Sequence, residues 1–465
     1  MQVSLSVVLA ASISLALIGL PDADVEDDAE VKDASITFVH LNKLDGPKAI
    51  SRLFKFANPG EGYFTADVDG GEPQRTVYWL NGDVAKQVLT EEDAPLTADS
   101  IWLIENKAHV FAIIGPKDAR HLYVLESGKS YRLNLDDDKP LTATSFEVYG
   151  PKPEYVQIKG KPEFYRLEGH KAKPIALPDF EPAIKYPTLV VSPTGTYFYA
   201  RNTLLGLTPG RLWLLSPDDK LKRVKWEDGG DAELGIAFFH FAGDTTYAVI
   251  NDYESQRDPD AEYVERYLWT LKDDVLSIAT DGEGYEFQAA ALITNAVVGS
   301  RIYLPGWSED SDDMFIWTAK DGGEFTLVKA QGKPLSAADF DVFDGGDVAV
   351  IRRKVRADLE PEFWICEGES ARPVKTSDGK VLQAKGFAQI ENGTGLLVTF
   401  KDDHYHLFSI DDNDVVRPGR VDGEPVVAKG SMFVQGMNLY AGTKGQYCRI
   451  SRDNEEDELL FFRKP

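Results

Sequence analysis

Cysteine is nearly absent. Cys366 and Cys448 are the whole supply in 465 residues, which excludes a disulfide-stapled scaffold, and no C-x-x-C or Cys/His spacing offers a structural zinc site. Positive charge is also short, with 50 Lys and Arg against 76 Asp and Glu and a net charge of −26. A field of that sign repels phosphate backbones and anionic lipid surfaces, so nucleic acid and acidic membranes are not expected as partners. Standard chemical signatures are missing as well. There is no G-x-S-x-G elbow, no G-x-x-x-x-G-K-[ST], no H-E-x-x-H, and no G-x-G-x-x-G between a strand and a helix. From Ile36 onward no window of helical length keeps a 3.6-residue apolar period.

What is present is the material of short strands and tight turns. The chain is 43% hydrophobic and 27% charged, with 39 Gly and 25 Pro, a globular composition suited to many turns. Residues 1–20 contain an apolar run, Val3 to Leu20, that reads as an export signal or an uncleaved N-terminal anchor, although no Lys or Arg precedes it. Residues 21–35 are dense in Asp and Glu and read as a solvated linker. Residues 36–465 read as one domain of alternating apolar runs and Gly/Asp/Asn/Pro clusters.

That domain repeats. An aromatic or apolar residue, one intervening position, an aliphatic residue and then a polar turn recur at Tyr78/Leu80, Tyr123/Leu125, Tyr165/Leu167, Trp213/Leu215, Trp269/Leu271, Trp317/Ala319, Trp364/Cys366, Phe408/Ile410 and Cys448/Ile450. By subtraction, successive first members lie 45, 42, 48, 56, 48, 47, 44 and 40 residues apart. A period of that length, with three further strand-like runs in each unit, predicts a radial all-β architecture. The motif is assigned to the third of four antiparallel strands, and Gly243-Asp244 is assigned to a hairpin turn between the first and second strands of one unit.

In this layout the chain resembles the β-propeller superfamily. Val191-Ser-Pro-Thr-Gly-Thr-Tyr-Phe-Tyr is similar to the S-P-D-G hairpin of periplasmic propellers related to TolB, with Thr194 where that family has Asp. The expected fold is an all-β propeller of four-stranded antiparallel blades, eight or nine in number, with seven as a lower alternative. Ile36–Leu41 and Glu458–Phe462 are both strand-like and are expected to complete one blade together, which removes exposed edges. Cys366 and Cys448 then fall two blades apart, beyond the roughly 4.4–6.8 Å between Cα atoms that a disulfide needs. Both are expected as unpaired, buried thiols.

Function is sought in loops, because propeller sites are assembled from several blades. The loops joining second and third strands share one face. The longest carries Tyr253, Arg257, Tyr263 and Arg266, another carries Arg352, Arg353 and Arg356, and Trp307 stands beside them. Tyr, Trp and Arg dominate binding hot spots, so this rim is the candidate binding surface. Lys401-Asp-Asp-His-Tyr-His holds His404 and His406 on one face of a strand, with Asp402 and Asp403 as oxygen ligands, and could seed a divalent-cation site. No other cofactor is indicated. Carboxylate clusters such as Asp136-Asp137-Asp138 are read as turn chemistry rather than calcium loops.

The expectation is an exported binding or scaffold module, secreted, periplasmic or at the cell surface, whose partner is another protein or a surface ligand. The alternative is a hydrolase or lyase acting on a carbohydrate or lactone through a carboxylate or metal in the central channel.

Overall fold

The computed structural model describes residues 37–40, 50–57, 61–67, 74–81, 84–106, 108–150, 154–161, 163–175, 186–201, 210–218, 220–234, 237–251, 266–289, 296–308, 311–344, 348–355, 359–383, 388–390, 396–401, 404–410, 413–421, 424–428, 431–436, 446–451 and 458–462. Among these residues every regular element is a β-strand. The strands group into nine sheets, each with a four-stranded antiparallel meander as its body. Sheet 1 is Ile50–Ala57, Glu61–Asp67, Arg75–Asn81 and Val84–Gln87. Sheet 2 is Ile101–Glu105, Val110–Ile114, Arg120–Glu126 and Lys129–Arg132. Sheet 3 is Phe146–Tyr149, Tyr155–Ile158, Phe164–Glu168 and Lys171–Pro174. Sheet 4 is Tyr186–Ser192, Gly195–Arg201, Gly210–Leu215 and Leu221–Arg223. Sheet 5 is Ala237–Ala242, Thr245–Asn251, Arg266–Lys272 and Val275–Ile278. Sheet 6 is Ala296–Val298, Arg301–Ser308, Ser311–Lys320 and Thr326–Leu327. Sheet 7 is Asp339–Asp344, Ala349–Lys354, Glu362–Glu367 and Ser370–Pro373. Sheet 8 is Ala388–Ile390, Leu396–Lys401, His404–Ile410 and Val416–Pro418. Sheet 9 is Ser431–Gly436, Gln446–Ser451 and Glu458–Phe462 from one end of the chain and Thr37–His40 from the other.

The layout is propeller-like. First strands of successive sheets lie against one another, as Ile101–Glu105 does with Ile50–Ala57 on one side and Phe146–Tyr149 on the other. Second strands are covered on both faces and read as continuous apolar runs: in Thr245–Asn251 every residue after the first is buried. Fourth strands alternate, with Ala172 buried between exposed Lys171 and Lys173, because only one face meets a neighbour.

After its fourth strand the chain does not go straight to the next sheet. It first pairs in parallel with that sheet's outer edge and then turns back. Leu89 pairs with Lys129 in this way, Asn134–Leu135 with Lys171–Ala172, and Lys225–Trp226 with Val275–Leu276. Asp281 likewise pairs with Phe325, Lys329–Ala330 with Ser370–Ala371, and Lys375 with Val415. Arg420–Val421 clasps Thr37–Phe38, so the N-terminal strand takes the fourth position of sheet 9. The clasps cover outer edges that would otherwise expose unpaired N–H and C=O groups.

A tyrosine joins neighbouring sheets at the opposite end of the second strand. Tyr197, Tyr247 and Tyr303 each stand two residues past the closing pair of the first hairpin and are buried. Tyr197 Oη donates to Asp273 O at 2.8 Å, and Tyr247 Oη accepts from Gly322 N at 3.1 Å. Tyr303 Oη meets the backbone of Gly368. Each bond spans from one sheet to the third-to-fourth-strand turn of the next. Those turns use left-handed backbone, with Asp273 at φ 52°, Gly322 at 76° and Gly368 at 60°. The first hairpins also touch. Gly243 N donates to Gly299 O at 3.1 Å, and a Cβ on Gly243 would lie 2.5 Å from Ser300 Cβ.

The sequence expectations meet these facts unevenly. Termini complete one sheet, as expected. Thr194 sits in the hairpin of sheet 4, and its hydroxyl bonds Thr246 in sheet 5 at 2.8 Å. Cys366 is buried and free, its thiol pushed up by burial. Eight of the nine aromatic–aliphatic pairs lie on third strands; the ninth, Cys448/Ile450, lies on the second strand of sheet 9, which corrects its assignment. The period locates a strand but not its rank, and in sheet 9 the third strand is Glu458–Phe462 because the fourth comes from residues 37–40. The side chain of Cys448 and residues 1–35 lie outside the described residues.

Replacing Tyr247 by Phe should lower stability by about 1 kcal/mol, because the buried ring loses its hydroxyl's hydrogen bond from the Gly322 N–H. Urea unfolding would measure it, and an unchanged midpoint would remove the hydroxyl from this account. Burial pushes the hydroxyls of Tyr197, Tyr247 and Tyr303 up to about 12. Since the folded state holds these protons more tightly than the unfolded chain, their contribution is whole below pH about 10 and lost between about 10 and 12. Spectrophotometric titration should show three phenolates appearing late, together with unfolding.

Candidate functional site

The rim expected from sequence lies at the second-to-third-strand ends of sheets 5, 6, 7 and 8. Arg266 opens the third strand of sheet 5, and Trp307 closes the second strand of sheet 6 next to Ser308. Trp307 is 41% exposed. Behind it the strand is held close: a Cβ on Gly306 would fall 2.5 Å from the Phe287 ring, so the tryptophan is carried on backbone packed directly against an aromatic.

Arg352 and Arg353 are strand residues near the end of the second strand of sheet 7, not loop residues as expected, because Lys354 still pairs with Asp339. Being consecutive on a strand, they point to opposite faces. Arg352 forms an ion pair with Asp341 across the hairpin. Arg353 is the more enclosed. Its Nε donates to Ser336 O at 2.8 Å, its Nη1 is 3.6 Å from Glu362 Oε2, and its guanidinium lies over the Trp364 ring at 5.4 Å. Glu362 Oε2 also accepts from Trp364 Nε1 at 3.2 Å. Burial makes the Arg353 cation harder to hold and lowers it from the ordinary arginine value, while Glu362 opposes that shift. The structure therefore brings Arg266, Trp307, Arg352 and Arg353 to corresponding ends of three consecutive sheets, with Arg353 already engaged inside the protein.

Tyr253, Arg257, Tyr263, Arg356, Asp402 and Asp403 lie outside the described residues. His404 and His406 pair with Lys401 and Thr399, share one face of the third strand of sheet 8, and His406 stacks on Phe408 at 6.5 Å. Among the described residues no three His, Cys, Asp or Glu side chains converge to hold a metal ion. The Asp136-Asp137-Asp138 cluster is a turn: Asp138 adopts φ 61°, Asp137 pairs with Lys139 at 2.5 Å, and Asp138 reaches Lys171 of sheet 3 at 3.2 Å.

Sequence reasoning missed the most connected set of titratable groups, at the opposite end of sheets 2 and 3. Asn106 and His109 belong to the first hairpin of sheet 2, and Glu126 ends its third strand. Glu154 precedes the second strand of sheet 3, and His170 lies in its third-to-fourth-strand turn. His109 Nδ1 is 2.8 Å from Glu154 Oε1, and His109 Nε2 is 3.5 Å from Glu126 Oε1. His170 Nε2 approaches the same Glu126 oxygen at 3.7 Å, and its ring is stacked on Tyr131 at 4.2 Å. Asn106, 6% exposed, organises this end. Its Nδ2 donates to Glu154 Oε1 at 2.8 Å, and its Oδ1 accepts from the N–H groups of Ala108 and His109. Gly150 leaves room for it, since a Cβ there would stand 2.8 Å from Asn106 Nδ2. A carboxylate that fixes one imidazole nitrogen leaves the other aimed and chemically usable.

No protein-family model matches the chain, and no curated protein does. Solved structures with a similar shape share little sequence. One is a prolyl endopeptidase, with TM-score 0.39 and 12% identity over 85% of this chain and 55% of that one. Apo AztD from Citrobacter koseri has TM-score 0.34 and 11% identity over 78% and 96%. An oligogalacturonate lyase from Vibrio parahaemolyticus has TM-score 0.35 and 8% identity over 79% and 96%. The chain thus spans little more than half of the endopeptidase. The likeness is one of propeller-type layout and carries no activity or ligand with it.

Arg353→Ala should cost about 2–4 kcal/mol, because it leaves Glu362 enclosed without its cation and uncovers Trp364. Arg352→Ala, at a half-exposed pair, should cost no more than about 1 kcal/mol. Urea unfolding followed by tryptophan fluorescence separates the two, and equal costs would contradict the assignment of Arg353 as the structural one.

Proposed function

We propose that the nine sheets are the nine blades of one closed propeller and that the chain is a binding module, with its ring as frame and its second-to-third-strand rim as the gripping face. The observation that carries this reading is Trp307: a large aromatic exposed at the end of a rigid strand, with Arg266 and Arg352 at the corresponding ends of the sheets on either side. An aromatic anchor beside guanidinium groups is the chemistry of a protein-binding or surface-ligand hot spot. Rigid carriage reduces the ordering cost of binding. Tyr253, Arg257, Tyr263 and Arg356 extend the same rim by sequence position, and the apolar run Val3–Leu20 supports an exported, extracytoplasmic setting. His404 and His406 on the next sheet could add a divalent cation to this face.

A second reading, a hydrolase or lyase, is favoured by one observation: the His109 imidazole oriented by Glu154 and facing Glu126 is a competent general acid–base arrangement. The two readings use opposite ends of the sheets.

A photoreactive amino acid placed at position 307, with the same group at Lys320 of the same sheet's other end as control, tests the binding reading in the extracellular fluid of the producing host. A discrete adduct is expected from 307 and none from 320. Arg352→Ala should weaken the adduct at 307 by about tenfold, the loss of one hot-spot side chain. Equal labelling at both positions, or none at 307, would overturn the reading, and turnover of a carbohydrate or lactone lost on His109→Ala would establish the second.

A further inference from the structure

The seam between sheets 2 and 3 departs from the pattern of sheets 4, 5 and 6. In sheets 4, 5 and 6 the residue two past the hairpin's closing pair is Tyr197, Tyr247 or Tyr303, whose hydroxyl reaches the next sheet's third-to-fourth-strand turn. In sheet 2 the closing pair is Asn106 and His109, joined by Asn106 N to His109 O at 3.2 Å. The residue two further on is Phe111, which has no hydroxyl. Two residues earlier on the same strand face stands His109, its ring edge-on to Phe111 at 6.3 Å. The turn that a tyrosine would have reached holds His170.

We propose that this seam carries a protonation-dependent latch in place of the tyrosine, in which charged His109 binds Glu154 of sheet 3 and Glu126 of its own sheet at once. Neutral imidazole has one N–H. With Nδ1–H given to Glu154 at 2.8 Å, the Nε2 lone pair of His109 faces a carboxylate oxygen of Glu126 at 3.5 Å, acceptor against acceptor. One added proton turns that contact into a second charge-assisted hydrogen bond. His170 Nε2 lies 3.7 Å from the same Glu126 oxygen.

The other charges at this end are already engaged. Lys129 pairs with Asp93, Lys171 with Asp138, Lys173 with Glu168, and Lys55 with Glu105. Lys107, in the hairpin itself, lies outside the described residues. Among the described residues, Glu126 meets both imidazoles, and Glu154 is shared by His109 and the Asn106 amide. The sign follows from which state holds the proton more tightly. The folded seam favours imidazolium, so the latch is complete below the ordinary histidine value of about 6.5 and is lost as the pH rises past it. The tyrosines of sheets 4, 5 and 6 keep their protons across that interval.

Amide hydrogen exchange of the full chain tests this at Asn106–Val110 and Glu168–Lys171, corrected for intrinsic rates. Protection there should rise about tenfold from pH 8 to pH 6, the effect of one unit of linked proton affinity. Protection around Tyr247 and Gly322 should stay constant. His109→Gln keeps a donor to Glu154 but takes no proton, and should abolish the rise. Should that variant fold poorly, Glu126→Gln, which keeps the Glu154 contact, should reduce the rise by more than half. A seam whose protection is flat between pH 6 and 8, or a rise that survives His109→Gln, would overturn the latch.

Discussion

Sheets 4, 5 and 6 are each tied to the next by one hydrogen bond used repeatedly: a buried tyrosine hydroxyl that crosses to a turn of the following sheet. Each sheet must turn tightly between its third and fourth strands, and left-handed residues such as Asp273 and Gly322 make the turn possible. The same conformation turns a peptide group away from its own sheet, toward the neighbour. A phenol suits that position because it donates or accepts. Tyr197 gives its proton to a carbonyl, whereas Tyr247 receives one from an amide. The ring meanwhile fills the space between sheets, as the packing of Tyr247 on Phe325 shows. Apolar packing and polar satisfaction thus come from one side chain, and the offset of that tyrosine from its hairpin is conserved across sheets 4, 5 and 6 while loop lengths vary freely.

The repeat was legible in the sequence because each third strand places an aromatic toward the gap between sheets. Trp226 against Trp269 and Phe287 against Trp317 are two results of that requirement. Rank within the sheet was not legible. Cys448 and Ile450 obey the same pattern on a second strand, since any inner strand facing a neighbour is under the same packing pressure. The second-strand tyrosines went unnoticed for the converse reason: each is a single residue whose partner is a backbone group 65 to 76 residues away, and nothing local marks it.

The candidate site divides in the same way. That the second-to-third-strand loops share one edge follows from antiparallel order alone, so Arg266, Trp307 and Arg352 could be grouped from sequence. That Arg353 is enclosed by Ser336, Glu362 and Trp364 could not, because alternation says two neighbouring arginines face apart without saying which face is covered. His109 and Glu154 are separated by 45 residues and Glu126 and His170 by a similar interval. They meet because both spans equal about one repeat, which places equivalent turns of adjacent sheets side by side. A period found in sequence therefore predicts contacts one period apart at every turn, a rule that would have found this cluster.

The strong acidity takes on a different meaning once the turns are seen. Asp137 with Lys139, Asp218 with Lys220 and Asp378 with Lys380 are the same device, a turn in which an aspartate pairs with the lysine two residues later. Hydrogen bonds from lysine and from a Ser or Thr hydroxyl hold Asp218 and Asp378 down to about 2. These pairs are solvent-exposed, so they shape turns more than they stabilise the fold. Their lysines neutralise part of the carboxylate excess locally, and the arginines at the second-to-third-strand ends stand apart from them. Arg352 is held by Asp341, with both groups only partly covered, and an incoming carboxylate could share that guanidinium without first ordering it. Under the proposed binding reading, the acidic field would discourage anionic ligands everywhere except near the positioned guanidiniums of the rim.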